Sequence, residues 1–290
     1  MLSLEPGALI DHYKIVNLLG QGGMGAVYEA VDQQSGQHVA IKMLQVDYAA
    51  NDSLLARFER EVMIVRLLDH PNIVRFLDYG KYEGKTYFVM SLIRGISLAT
   101  WLRSKFFSPL EVLNILQPLC SALDHAHARN VLHRDVKPSN ILMDMTGDDP
   151  QIFLSDFGLS KVIGMISLTE TQTQVGTPNY MSPEQVEDLP LTPATDVYSL
   201  AIVTYEMLLR ELPFDARSDF EMTLAHVEKA PSPPSNIVPG FPSSLESVLL
   251  RGLMKDPEDR YTEAGIFCRE FAEAVAMLNK DEQMTVYRYI

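Results

Sequence analysis

VLHRDVKPSNIL, Val131–Leu142, sets His133, Arg134, Asp135, Lys137 and Asn140 between apolar residues. FLSDFGLSK, Phe153–Lys161, then carries Asp156 among apolar neighbours. Both lie in a region, residues 131–184, that reads as short strands and loops dense in polar groups. Helical spacing flanks it, over Pro109–Arg129 before and Pro193–Leu209 after. Further helical spacing follows at Phe220–Lys229, Leu245–Met254 and Glu263–Asn279, separated by Pro-rich and Gly-rich loops such as 230–242.

Upstream the pattern changes to strands. His38–Leu44, Ile73–Tyr79 and Thr86–Ile93 read as strands. They are interrupted by one helix over about Ser53–Leu68, with Asn51, Asp52 or Ser53 as cap and HisProAsn at 70–72 as its stop. Its apolar stripe is Leu54, Phe58, Val62 and Val65. Glu61 sits at the edge of that stripe, where a carboxylate needs a cationic partner. A small β-rich unit followed by a larger helical one is expected, and clefts between such units are preferred ligand sites.

At the start of the β-rich part, LLGQGGMGAVYEA, Leu18–Ala30, packs Gly20, Gly22, Gly23 and Gly25 into six residues. Glycines in this G-x-G-x-x-G spacing let backbone N–H groups approach phosphate oxygens. Dinucleotide-binding folds open a helix after these glycines. Here Val27, Glu29 and Val31 alternate with Tyr28 and Ala30, and a Ser-Gly turn at 35–36 leads into another strand. In isolation the segment would also suit a merely flexible hairpin.

The 290 residues suffice for one large or two small units with a substantial core. Hydrophobic content of 47% with 21% charged residues describes an ordinary globule, and a net charge of −14 argues against nonspecific nucleic-acid binding. The longest apolar stretch, Val197–Tyr205, falls far short of the ~20 residues of a membrane span. The N-terminus lacks signal-peptide features, so a cytoplasmic chain without a membrane span is expected. Cys120 and Cys268, the two cysteines, give neither a disulfide framework nor zinc spacing and are expected as buried small hydrophobes.

Taken together in order, these segments resemble the eukaryotic-like protein kinases, from Tyr13 to about Leu278. The glycine loop is Gly20-x-Gly22-x-x-Gly25-x-Val27 and the third-strand motif Val39-Ala40-Ile41-Lys42. The catalytic loop is His133-Arg134-Asp135-Val136-Lys137-Pro138-Ser139-Asn140 and the metal motif Asp156-Phe157-Gly158. Ser182-Pro183-Glu184 stands where the family has Ala-Pro-Glu. Gly-Gly-Met-Gly and Thr-Pro-Asn-Tyr-Met-Ser-Pro-Glu-Gln make the chain most similar to the bacterial Hanks-type branch. The resemblance implies an α+β, bilobal fold: a 1–12 extension, a kinase domain over 13–279 with N-lobe 13–93 and C-lobe 94–279, ATP in the cleft between them, and a tail or juxtamembrane start over 280–290.

It also implies an ATP- and Mg²⁺-dependent serine/threonine protein kinase, in which catalysis is positioning plus electrostatic stabilisation. Lys42 would hold the α and β phosphates with Glu61 as its ion-pair partner. Asn140 and Asp156 would be the hard oxygen ligands of Mg²⁺. Asp135 would orient the attacking hydroxyl, and Lys137 would stabilise the transferred phosphoryl and mark serine/threonine specificity. Leu19, Val27 and Ala40 would roof the adenine with Leu142 as floor. Met90 falls at the gatekeeper position, with the backbone of Ser91 and Ile93 at the adenine edge. Val65, Phe76, His133 and Phe157 would form a regulatory stack.

In the family the chain resembles, an arginine at the place of Arg134 marks activation by loop phosphorylation, which implies Thr169, Thr171 and Thr173 as candidate acceptors, Thr169 and Thr171 favoured by their distance from Gly176-Thr177. Thr177 would bond near Asp135 and Lys137, and Glu184 would pair with Arg260. Partners would be protein substrates with Ser or Thr, and a second copy for trans-autophosphorylation. Membrane tethering would require a region outside this chain. The rival reading is a pseudokinase scaffold. His125 and His127 point to different helix faces and suit no metal, and Met63, Met90 and Met143 read as core fillers.

Overall fold

The computed structural model describes residues 4–22, 25–44, 62–147, 149–157 and 178–287. The chain divides between Arg94 and Gly95 into two compact units. The candidate residues Glu61, Thr169, Thr171, Thr173 and Thr177 lie outside the described residues.

The first unit is an antiparallel sheet of β1 (Leu9–Ile10), β2 (Tyr13–Gly22), β3 (Gly25–Asp32), β4 (His38–Leu44), β5 (Phe76–Tyr82) and β6 (Lys85–Ser91), in the order β1-β2-β3-β4-β6-β5. Alternation places Tyr28, Ala30, Val39, Ile41 and Val89 in one core. Residues 4–12, part of the 1–12 span expected as an extension, pack onto that sheet. Leu4 and Ile10 are buried in its core, Leu4 N donates to Tyr28 Oη at 3.3 Å, and Tyr87 Oη donates to Asp11. Residues 62–66 are helical and lie within the span expected as a helix, with Val62 buried. Met63 is 65% exposed and is no core filler, because it follows Val62 by 100° and so leaves the buried face. The expected β5 starts three residues late, since Ile73–Arg75 forms the approach to the strand.

The second unit opens with a small sheet, β7 (Gly95–Ser97), β8 (Ile141–Asp144) and β9 (Gln151–Leu154), in that order. The β8–β9 register pairs Asp144 with Gln151, so the two strands form an antiparallel hairpin. Helices α1 (Leu98–Leu102), α2 (Pro109–His127), α3 (Pro183–Val186), α4 (Pro193–Leu209), α5 (Asp219–Glu228), α6 (Pro234–Ile237), α7 (Ser243–Gly252), α8 (Ala264–Ala276) and α9 (Lys280–Met284) follow.

Their starts are written in the sequence. Ser108 accepts from Glu111 N while Glu111 accepts from Ser108 N, a capping box with Pro109 at the first helical position. Ser182 and Gln185 repeat the device on α3. α4 is apolar nearly all round and is buried on nearly every residue, so it forms the centre of the unit. Ala201 on α4 faces Gly252, where an added Cβ would come within 2.7 Å of it. Two small residues therefore let α4 and α7 meet closely.

Candidate active site

The loop between α2 and β8 is folded around its own charged groups. Lys137 Nζ lies 2.8 Å from Asp135 Oδ2. Asn140 Nδ2 donates to the same oxygen at 3.0 Å and to the Asp135 carbonyl at 2.8 Å. Both donors of the amide are thus engaged, which fixes its orientation and leaves the oxygen as the atom it can offer a cation. The Asn140 carbonyl accepts from Ser155 N at 2.9 Å and Ser155 Oγ at 3.0 Å, tying this loop to the end of β9, next to Asp156.

His133 is buried at the hinge of this arrangement. Asp135 N donates to its Nδ1 at 3.2 Å, so the proton sits on Nε2, which donates to the Ser155 carbonyl at 2.8 Å. Its ring meets Phe157 edge to face at 4.6 Å. Arg134 and Asp156 both have φ of 66°, a left-handed conformation that costs non-glycine residues about 1–3 kcal/mol each.

The strain at Arg134 is held by residues that sequence reasoning did not single out. Asp196, fully buried in the first turn of α4, accepts from His133 N and Arg134 N, each at 2.8 Å, and from His127 Nε2 at 2.7 Å. Burial pushes its carboxyl up, but the His127 hydrogen bond and charge and the amides prevail and hold it below the ordinary range. Gln185 Nε2 donates to the Arg134 carbonyl at 2.8 Å. The available signal was Asp196 itself, a carboxylate immediately before the apolar run Val197–Tyr205.

The expected Glu184–Arg260 pair is present. Arg260 donates to Glu184 Oε1 at 2.8 Å and Oε2 at 2.9 Å, and both side chains are buried. Arg260 also donates to the carbonyls of Ala194, Met254 and Lys255, and Thr195 Oγ1 donates to Glu184. All the charge is therefore bonded, and the pair ties α3 to the loop before α8. Burial raises the Glu184 carboxyl and Arg260 lowers it more, so it titrates below the ordinary range.

In the first unit, β-pairing sets Val27 against Lys42 and Ala40 against Met90. Paired side chains share a face, so these four lie opposite the core face of Tyr28, Ile41 and Val89. Lys42 is nonetheless only 7% exposed. Leu19 stands in the register shift between Leu18 and Gly20 and is exposed. Ser91 N donates to the Arg75 carbonyl at 2.9 Å, so of its backbone groups only the carbonyl remains to meet a ligand. Gly25 has φ of 143°, and a Cβ there would stand 1.9 Å from the Met43 carbonyl oxygen, so glycine is required by the fold. At Gly20 and Gly22 a Cβ would meet nothing within 4 Å.

Residues 13–273 match the family described as Protein kinase domain. The chain belongs to the protein kinase family. It is 37% identical over 253 residues to the serine/threonine-protein kinase PrkC of Bacillus subtilis, covering 87% of this chain and 39% of that protein. It is 36% identical over 285 residues to PknH of Mycobacterium tuberculosis, a serine/threonine-protein kinase, covering 97% and 45%. A crystal structure of a double mutant of the M. tuberculosis PknI kinase domain superposes with a TM-score of 0.77 at 27% identity, covering 94% of this chain and 99% of that one. The fold is accordingly the bilobal kinase fold. The chain spans less than half the length of the curated relatives it matches.

Protein kinases use ATP as phosphoryl donor and Mg²⁺ as cofactor, and the residues of this kinase domain fit both. Gly20 and Gly22 keep a side-chain-free surface that packing does not demand, as close approach of phosphate requires. The amide oxygen of Asn140 and the carboxylate of Asp156 are hard donors suited to Mg²⁺. Leu142 pairs with Ser97 and Phe153 in the middle of the small sheet and is partly exposed. Val65 and Phe76 of the expected stack belong to the first unit, and His133 and Phe157 meet in the second. Among the described residues no helix is long and apolar enough to cross a membrane.

Proposed function

We propose that residues 13–279 act as the catalytic domain of an ATP- and Mg²⁺-dependent protein kinase that phosphorylates serine and threonine hydroxyls of proteins. The observation that carries this reading is the clamp on Asp135. Lys137 and Asn140 both engage Oδ2, which leaves Oδ1 to accept the hydrogen bond, and later the proton, of a substrate hydroxyl. A lysine held 2.8 Å from that carboxylate is placed to stabilise the negative charge of the phosphoryl group as it moves. Mg²⁺, when bound, neutralises phosphate charge, and Asn140 and Asp156 are its proposed ligands.

On this reading Lys42 binds the α and β phosphates and Glu61 is its ion-pair partner. Gly20, Gly22 and Gly25 shape the phosphate cradle. Leu19, Val27 and Ala40 roof the adenine and Leu142 floors it, Met90 is the gatekeeper, and the carbonyl of Ser91 and the backbone of Ile93 meet its edge. Thr169, Thr171 and Thr173 are the acceptors of activating phosphate, transferred between two copies of the chain, and Thr177 helps seat the substrate hydroxyl. The relatives' names as serine/threonine kinases support the acceptor class. We place the domain in the cytoplasm, tethered where a longer chain supplies an anchor.

The test is phosphate incorporation from ATP into a Ser/Thr protein substrate, with and without Mg²⁺, alongside Lys42→Ala. Incorporation that needs Mg²⁺ and falls at least ~10²-fold in the variant supports the reading; equal incorporation in the variant refutes the role of Lys42.

A further inference from the structure

The chain has two cysteines, far apart in sequence, and folding brings them together. α2 and α8 pack against each other. Asp124 on α2 accepts from Ala264 N at 3.0 Å and Gly265 N at 2.9 Å in the first turn of α8. The approach is tight, since a Cβ on Gly265 would come within 2.5 Å of Asp124 Oδ2. One turn back along α2 is Cys120, and one turn forward along α8 is Cys268. The antiparallel crossing fixed by Asp124 therefore sets the two thiols against each other, where each shifts the titration of the other. Cys120 is buried and Cys268 is partly exposed, so Cys268 is the more open of the two to a small solute.

We infer that Cys120 and Cys268 are a redox pair that forms a reversible intrachain disulfide on reaction with a hydroperoxide, Cys268 attacking and Cys120 resolving. The neighbouring Cys120 thiol favours the Cys268 thiolate and lowers its pKa, against burial and the charge of Asp124. Burial raises the Cys120 thiol well above its ordinary value and keeps it protonated. The more open sulfur is therefore the nucleophile. Its thiolate attacks the peroxide, an S–O bond forms as the O–O bond breaks, and Cys268 sulfenic acid and an alcohol or water result. Cys120 sulfur then attacks Cys268 sulfur, the S–S bond forms, the S–O bond breaks, and the hydroxyl leaves as water with the Cys120 proton. The sum consumes two thiols and one peroxide. The Asp124 oxygens are engaged by the α8 amides, so the cluster is a thiol couple and not a cation site.

The reduced full chain is treated with hydrogen peroxide, and its intact mass is read under non-reducing conditions. The expected result is a loss of about 2 Da, a cross-linked peptide joining Cys120 to Cys268, no labelling by iodoacetamide, and full reversal by dithiothreitol. In Cys120→Ser, Cys268 should instead gain about 16 and then 32 Da. Gains of about 16 or 32 Da in the wild type without the cross-linked peptide overturn the proposal, as does a covalent dimer with no intrachain link. The wild-type measurement decides without any variant having to fold.

Discussion

Asp196 holds Arg134 in a left-handed conformation: its Oδ1 accepts from the Arg134 amide at 2.8 Å while Oδ2 accepts from His133 N and His127 Nε2. A fully buried carboxylate thereby shapes the candidate catalytic loop from behind. Asp196→Ala should leave strained backbone amides and His127 unpartnered. We expect a loss of about 3–5 kcal/mol in urea unfolding and a fall in kcat larger than the change in KM for ATP. Unchanged stability would show that the loop holds its own geometry.

Two buried carboxyls, Asp196 and Glu184, titrate below their ordinary range. A group whose pKa is depressed by folding contributes stability that is fully present above its unfolded value and is lost as pH falls through its folded value. The share of the unfolding free energy that these two carboxyls contribute should therefore be constant near neutrality and be lost below about pH 4. Glu184→Gln should shallow that decline and lower the plateau, because Arg260 stays buried with a neutral partner. A pH dependence identical to wild type would contradict the assignment.

Gly25 and Gly22 should respond oppositely to alanine. At Gly25 the new Cβ collides with the Met43 carbonyl in a conformation alanine avoids, which should cost at least ~2 kcal/mol of stability. At Gly22 the space is open, so stability should stay within about 1 kcal/mol while KM for ATP rises. Thermal melts and ATP titrations of both variants distinguish a folding glycine from a binding one.

The Lys137 ammonium and the Asn140 amide converge on one oxygen of Asp135. Lys137→Ala should lower kcat about 10²–10³-fold with a smaller change in KM, as loss of a charge acting in the transition state does. An effect confined to KM would place Lys137 in ground-state binding.

The candidate site residues are legible because they are nearly consecutive: His133 to Asn140 is one short loop, and Asp156 follows one hairpin later. Pro193–Leu209 was read to the residue because proline opens it and its apolar run ends at Arg210, whose φ is 61°. What was not legible depends on contacts between distant segments. Asp196 reads as a helix-opening acid until α4 packs beneath the loop. Cys120 and Cys268 carry no local signal of meeting. Residues 4–12 lack a motif, and their place on the first sheet follows from Leu4 and Ile10 finding Tyr28 and its core. Met63 is the opposite case: its apolar character predicts burial, but the helix turns that position outward.

The central claim is that Asp135 receives the proton of a hydroxyl under phosphorylation. The most direct test is the intact mass of phosphatase-treated protein after incubation with ATP and Mg²⁺, beside Asp135→Asn. The account predicts gains of about 80 Da per phosphate in the wild type, mapping to residues 167–177, and none in the variant over the same time, with ATP binding retained. Equal phosphate gain in Asp135→Asn, or none in either protein while both bind ATP and Mg²⁺, would contradict it.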